Sequence, residues 1–292
     1  MKKKLVYLGF VSVSVAIPLK VFLDKVDKET QQVYSQGQVY LAKVNIDKLR
    51  LLQEVRCDWM DLGTYFQQKA SEKGFEPYVA AIIPRESAGD VYATGCDPCP
   101  IDPEAAMKRK NHPINSVWLR VVFDKGLNSY CLRQNATREN TCSVGFGLMQ
   151  ITSHTLSDEK YTGVVQPYAL LDTKAPLVKG SKDYSAVNEE PKNSPYNPCT
   201  NIEVGLSILK DKYRACSKYG DDTVRRMACA VCYYNGRADY LVHIRETVID
   251  RGQAGLLVRA GFIKDGLVEG LKNFVVKIAG FVNINIDRCS MI

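Results

Sequence analysis

"KGFEPYVAAIIPRES", residues 73–87, is the stretch on which the fold turns. Pro77 is a favoured first-turn residue, so a helix is expected to start there, carrying Val79, Ile82 and Ile83 towards Glu86. The apolar run then ends in a carboxyl group. A buried, unpaired carboxylate is expensive and tends to stay protonated. Glu86 is therefore either a paired structural residue or an acid whose pKa has been tuned for chemistry. Pro84 stands inside the expected helix, where it removes one backbone hydrogen bond and favours a kink.

Upstream, Leu52, Val55, Trp59, Leu62 and Phe66 step by three and four, which predicts a helix from Leu49. Downstream, residues 90–142 read as an insertion with a small core of its own, "VWLRVVF" at 117–123. Its cysteines, Cys96, Cys99, Cys131 and Cys142, share one short segment and are expected to pair among themselves. Residues 153–196 are polar, with Pro167, Pro176, Pro191 and Pro195, and read as a long surface excursion. A helical hairpin follows. Asn201 is read as the cap of a helix bearing Val204, Ile208 and Leu209, "KYGDD" at 218–222 as the turn, and Thr223 to Tyr234 as the return helix. Leu256, Ala260, Ile263, Leu267, Leu271, Phe274, Ile278 and Phe281 then form an apolar stripe, an amphipathic helix or helix pair. It either packs on the domain or contacts a membrane surface or a protein complex.

Apolar residues are 46% of the 292 and charged residues 24%, which excludes a disordered chain. The net charge of +7 favours an anionic partner. No nucleic-acid motif accompanies it, so nucleic acid is not an expected partner. Lys2, Lys3 and Lys4 precede the apolar run "LVYLGFVSVSVAIPL", the pattern of an export signal, cleaved after Ala16 or kept as a membrane anchor. An even count of ten cysteines behind such a signal points to disulfides. The rival reading is zinc, since Cys96/Cys99 and Cys229/Cys232 have the spacing of metal knuckles.

Four stretches then belong together: "KGFEPYVAAIIPRES", "GFGLMQIT" at 145–152, "NPCTNIEVGLSIL" at 197–209 and "ACAVCYYNG" at 228–236. In this order they resemble the soluble-type lytic transglycosylase domain, a lysozyme-like family that cuts peptidoglycan. The residues themselves lay the chain out as an export signal or anchor at 1–23, a polar tether at 24–48, a domain at 49–247 with a loop-rich, Cys-containing insertion at 90–142 and a second loop-rich insertion at 153–196, and an amphipathic helical region at 248–292. The resemblance, which does not reach the insertions or the helical extensions at both ends, implies a mainly α, lysozyme-like fold for the domain. It makes Glu86 the sole catalytic carboxyl, acting without metal or cofactor. Met149 and Gln150 match positions that line the sugar cleft. Tyr234 and Asn235 match the family's Tyr-Asn pair, whose phenol can hydrogen-bond the catalytic carboxyl, and Tyr233 beside them joins the substrate-binding set. Ser87 supports the glutamate or the sugar, or caps the helix end; Asn201 and Gly205 are structural. Gly236 follows Asn235 directly, where many members carry one more small residue, and the insertion before Gly145 is longer than the family's loop.

The implied reaction cuts the bond between N-acetylmuramic acid and N-acetylglucosamine with closure of a 1,6-anhydro ring. Such an enzyme would be exported, in the periplasm, anchored facing it, or on a virion, opening the wall locally for a phage or a secretion apparatus. Two rivals stand beside it: a muramidase (hydrolase) on the same fold, as in goose-type lysozymes, and an idle wall-binding structural protein.

Overall fold

The computed structural model describes residues 52–131, 135–174, 186–237 and 239–281. The expected export signal and tether lie outside the described residues. The described residues all belong to one compact unit.

Residues 52–54 are helical, as expected, but the helix does not run on through Trp59. A two-stranded hairpin there pairs β1 (Arg56–Cys57) with β2 (Met60–Asp61). The chain reverses at Asp58, whose φ of 56° lies in the left-handed region, and Trp59 at the tip is 85% exposed. Helix α1 (Leu62–Glu72) starts only after this turn. Asp61 caps it, accepting from the Thr64 backbone N–H at 2.9 Å. The helix expected from Pro77 forms in two pieces. A 3-10 turn over Pro77–Ala81 leads straight into α2 (Ile82–Ser87), so Pro84 stands just past the change of helix type.

A three-stranded antiparallel sheet comes next, β3 (Thr94–Pro98), β4 (Thr141–Phe146) and β5 (Ile151–Thr152), in that order. Between β3 and β4 run α3 (Pro103–Lys110) and α4 (Pro113–Asp124). This insertion does not keep a core of its own. Trp118 and Val122 of α4 are fully buried in the common core, with the Trp118 ring 5.3 Å from that of Phe146 on β4. Disulfides Cys96–Cys131 and Cys99–Cys142 staple it, the pairing within the segment that was expected. Cys57–Cys199 and Cys216–Cys229 are the other described pairs, and no described cysteine is free. The sulfurs of both two-residue spacings are thus in disulfides rather than zinc knuckles. By the chain-entropy argument, Cys57–Cys199, which closes 142 residues of sequence separation, stabilises by about 5 kcal/mol.

The excursion at 153–196 carries the single-turn helix α5 (Glu159–Thr162) and ends on α6 (Pro198–Ala215), the central helix. Asn197, not Asn201, is its cap, accepting from the backbone N–H groups of Cys199 and Thr200 at 3.2 and 3.1 Å. The fully buried Asn201 amide instead ties elements together. It accepts from Met149 N at 2.8 Å and donates to the carbonyls of Phe146 and Pro195, both at 2.8 Å. After the turn at Gly220, helix α7 (Thr223–Asn235) runs back along α6, followed by α8 (Tyr240–Arg245), α9 (Ala254–Arg259) and α10 (Val268–Gly280).

The C-terminal stripe is core. Leu256, Leu257, Phe262, Leu271, Val275 and Ile278 are buried in the same cluster as α1 and α6, and the Phe262 ring meets that of Phe66 edge-on at 5.3 Å. Gly63 makes this docking possible. A Cβ there would lie 2.4 Å from the Gly261 carbonyl carbon, so only glycine lets the two backbones meet. Among the described residues no helix is long and apolar enough to cross a membrane.

Candidate active site

Glu86 owes its direction to the way α2 ends. Ala88 takes φ 51°, an unusual left-handed value for a residue with a Cβ, and its N–H returns to the Pro84 carbonyl at 3.1 Å. The buried Ser87 hydroxyl fastens the turn, donating to Ile83 O and accepting from Gly89 N, both at 3.2 Å. Of its two expected roles, this is the helix-end one. Ile82 and Ile83 face the core, and the next side chain round the helix, Glu86, is half-buried.

The Glu86 carboxyl is held by one oxygen. Tyr240 donates its hydroxyl to Oε1, and Asn235 Nδ2 donates to the same atom at 3.3 Å. Among the described residues no hydrogen bond falls on Oε2, so that oxygen is free to carry a proton. Burial is the largest influence and pushes the pKa up to about 7; the bonds from Tyr240 and Asn235 and the nearby Arg85 pull it down, while Asp97 pushes it further up. A raised pKa of this kind keeps a substantial share of the carboxyl protonated towards neutrality, as a general acid requires.

Tyr234 does not bond the carboxyl. Its hydroxyl donates to Met149 O at 2.7 Å, and its own pKa is raised by burial and then by the charge of Glu86, which makes it a close neighbour. Met149 itself is fully buried, with its sulfur against α6. A Cβ on Gly205 would lie 2.5 Å from it, which gives Gly205 its structural role. Met149 therefore offers the cleft no side chain. Gln150 adopts a left-handed φ of 47°, and its amide donates inward to Ala93 O and Gly147 O at 2.9 and 3.0 Å. Its Oε1 lies across the paired glycines Gly95 and Gly145, where a Cβ would come within 2.6 and 2.9 Å. Both donors are spent on backbone carbonyls that flank the sheet, so an N-acetyl group would find no free N–H here. Tyr233 is half-buried against the core and Asn235 is exposed.

Tyr240 is the group that sequence reasoning missed, whereas Asp97 is one of four acids near Glu86 in sequence, with Asp90, Asp102 and Glu104, that stand as rivals to it. Tyr240 is buried at the start of α8, across the Gly236 turn from Asn235. Asp97 stands at the end of β3. The residue is exposed as a whole, yet desolvation by the surrounding protein raises the pKa of its carboxyl against the pull of Arg109. Among the described residues no group of three or more His, Cys, Asp or Glu side chains is arranged to hold a metal ion.

Comparison with curated proteins and with solved structures returned no match. The family model described as the transglycosylase SLT domain matches residues 64–249, well over half of the chain and a span that holds Glu86, Gln150, Asn235 and Tyr240. The mainly helical, lysozyme-like chain thus belongs to the SLT transglycosylase family, whose members are peptidoglycan-degrading proteins of the lytic transglycosylase type.

Proposed function

We propose that this protein is an active lytic transglycosylase that cuts the β-1,4 bond between N-acetylmuramic acid and N-acetylglucosamine, with Glu86 as acid and then base. The observation that carries this reading is the carboxyl of Glu86, half-buried, pinned through Oε1 by Tyr240 and Asn235, with a pKa of about 7. Oε2 delivers its proton to the glycosidic oxygen as the C1–O bond breaks and cationic character grows at C1. The 2-acetamido group of the same sugar steadies that centre. Glu86, now a carboxylate, takes the proton of the 6-hydroxyl as O6 bonds to C1, which closes the 1,6-anhydro ring and restores the acid. No water is consumed.

One observation favours a second reading. Asp97 is close enough for its charge to act on Glu86. A second carboxylate in a glycosidase cleft can orient water for hydrolysis. An idle wall-binding role is disfavoured, because a carboxyl raised to about 7 weakens the fold at neutral pH and a merely structural protein gains nothing from it. The disulfides support a site of action outside the reducing cytoplasm, after export.

Mass spectrometry of fragments from purified cell wall tests the proposal. Products ending in anhydro-muramic acid, lighter by one water than hydrolytic products, support it, and Asp97→Asn should leave that product unchanged. Free reducing ends that vanish in Asp97→Asn would establish the hydrolase instead.

A further inference from the structure

A concavity of about 590 Å³ lies where the end of α1 faces the latter half of α6 and the α5 turn. Lys73, Lys160, Lys210 and Arg214 line it, together with the hydroxyls of Ser71 and Ser207. Two carboxylates share the lining, and both are already engaged. Glu72 accepts from Lys69 at 3.1 Å and from Gln68 at 2.8 Å. Asp211 pairs with Lys160 and accepts from Tyr161 at 2.8 Å, while Arg214 comes no nearer to it than 3.9 Å. Among the described residues no carboxylate lies within 4.0 Å of Lys210 or Lys73.

Lys210 is instead held by aromatic faces. Its ammonium stands 5.4 Å from the ring centre of Phe75 and 5.6 Å from that of Tyr213. The Arg226 guanidinium also stacks on Tyr213, at 4.4 Å. Burial, then Arg214, Arg226 and Lys73, lower the Lys210 pKa, as expected of an ammonium crowded by like charges. The lining thus carries four cations, Lys73, Lys160, Lys210 and Arg214, against two carboxylates, and among the described residues neither carboxylate pairs with Lys73 or Lys210. The lining shares no residue with the groups that hold Glu86.

We propose that this pocket is a binding site for a phosphate-class anion, gripped by Lys210, Lys73 and Arg214. A doubly charged phosphate neutralises more of the cluster than a single carboxylate can, and a guanidinium fork matches its oxygens. The volume is that of a small-molecule site, so the phosphate can carry an organic substituent. The same chemistry is offered by a soluble phosphate ester and by a phospholipid headgroup.

The test uses the full chain and inorganic pyrophosphate as probe, with binding read by calorimetry and by thermal shift at low ionic strength. Saturable one-site binding is expected. It should weaken at least tenfold in Lys73→Gln/Lys210→Gln and stay unchanged in Lys264→Gln/Lys272→Gln, which removes the same charge elsewhere. If the loss of Lys210 from its aromatic seat alters melting, Lys73→Gln and Arg214→Gln serve singly, each with a severalfold loss expected. Absence of saturable binding, or an equal loss in the control variant, overturns the site. Vesicles of phosphatidylcholine with and without phosphatidylglycerol separate the sources. Retention on the anionic vesicles that depends on Lys210 assigns a lipid headgroup. Pyrophosphate binding without such retention assigns a soluble phosphate.

Discussion

Two glutamates show how differently one fold can treat the same side chain. Glu190 is 3% exposed and both its oxygens are occupied. Oε1 accepts from Thr173 Oγ1 at 2.7 Å and Ser194 Oγ at 2.5 Å, and Oε2 accepts from the Lys174 backbone N–H at 2.7 Å and Tyr92 Oη at 3.5 Å. It ties the two described ends of the excursion's inner stretch, at 173–174 and 190–194, to each other, with the Tyr92 hydroxyl of the domain at the same carboxylate. Glu86 is half-buried, has donors on Oε1 alone, and has a pKa near 7. A carboxyl given donors for every lone pair organises structure. One with burial on its sides and an open oxygen is poised to exchange a proton, at some cost to stability.

That contrast can be broken first at Glu190. Glu190→Ala takes an acceptor from the buried hydroxyls of Ser194 and Tyr92, unties Thr173 and the Lys174 backbone, and should destabilise by about 3–5 kcal/mol in urea titration. A loss below about 1 kcal/mol would mean that the excursion is held by something else. Glu86→Gln should do the reverse. The folded protein holds the Glu86 proton up to about pH 7, whereas the unfolded chain releases it from its ordinary pKa of 4.5. Stability contributed by this residue therefore falls as pH rises through that window. The amide escapes the penalty, so the variant should be more stable than wild type by about 2–3 kcal/mol at pH 8, with the advantage gone at pH 4. Equal stability at both pH values would remove the premise of a raised pKa.

Smaller changes sharpen the same point. Tyr240→Phe removes a bond that favours the carboxylate, so the Glu86 pKa should rise further. The falling limb of kcat/KM, which reports loss of the acid's proton, should then move to higher pH, with activity at its optimum reduced on the order of tenfold. An unmoved limb would show that the phenol does not act on the acid. Asn235→Ala should move the limb the same way by less, since its bond is longer, at 3.3 Å, and exposed.

Much of this arrangement was legible in the sequence, for local reasons. Glu86 stood out because a carboxyl closed an apolar run, and the α6–α7 hairpin showed in the spacing of Val204, Ile208 and Leu209 about the stop at Gly220. The paired cysteines of the insertion were close in sequence as they are in space. What stayed hidden depended on distant contacts. Leu52, Val55, Trp59, Leu62 and Phe66 satisfy a helical period, but a period cannot register a reversal at Asp58 or a disulfide from Cys57 to α6. Asn197 and Asn201 are equally good caps on paper; the structure spends Asn201 on a link between the glycine-rich turn and α6. Tyr234 was the phenol expected at the carboxyl, while the turn at Gly236, φ 78°, brings Tyr240 to that place. Gln150 matched a cleft position, yet its left-handed backbone turns its amide onto backbone carbonyls that flank the sheet.

The central claim is that one residue, Glu86, performs both proton transfers. The direct measurement is turnover of purified cell wall by Glu86→Gln, followed alongside its melting. The account predicts a fall on the order of 10²–10⁴-fold, to background, in a protein that still melts cooperatively and, at pH 8, above wild type. Wild-type turnover in a folded Glu86→Gln protein would contradict it and move the search for the acid to Asp97.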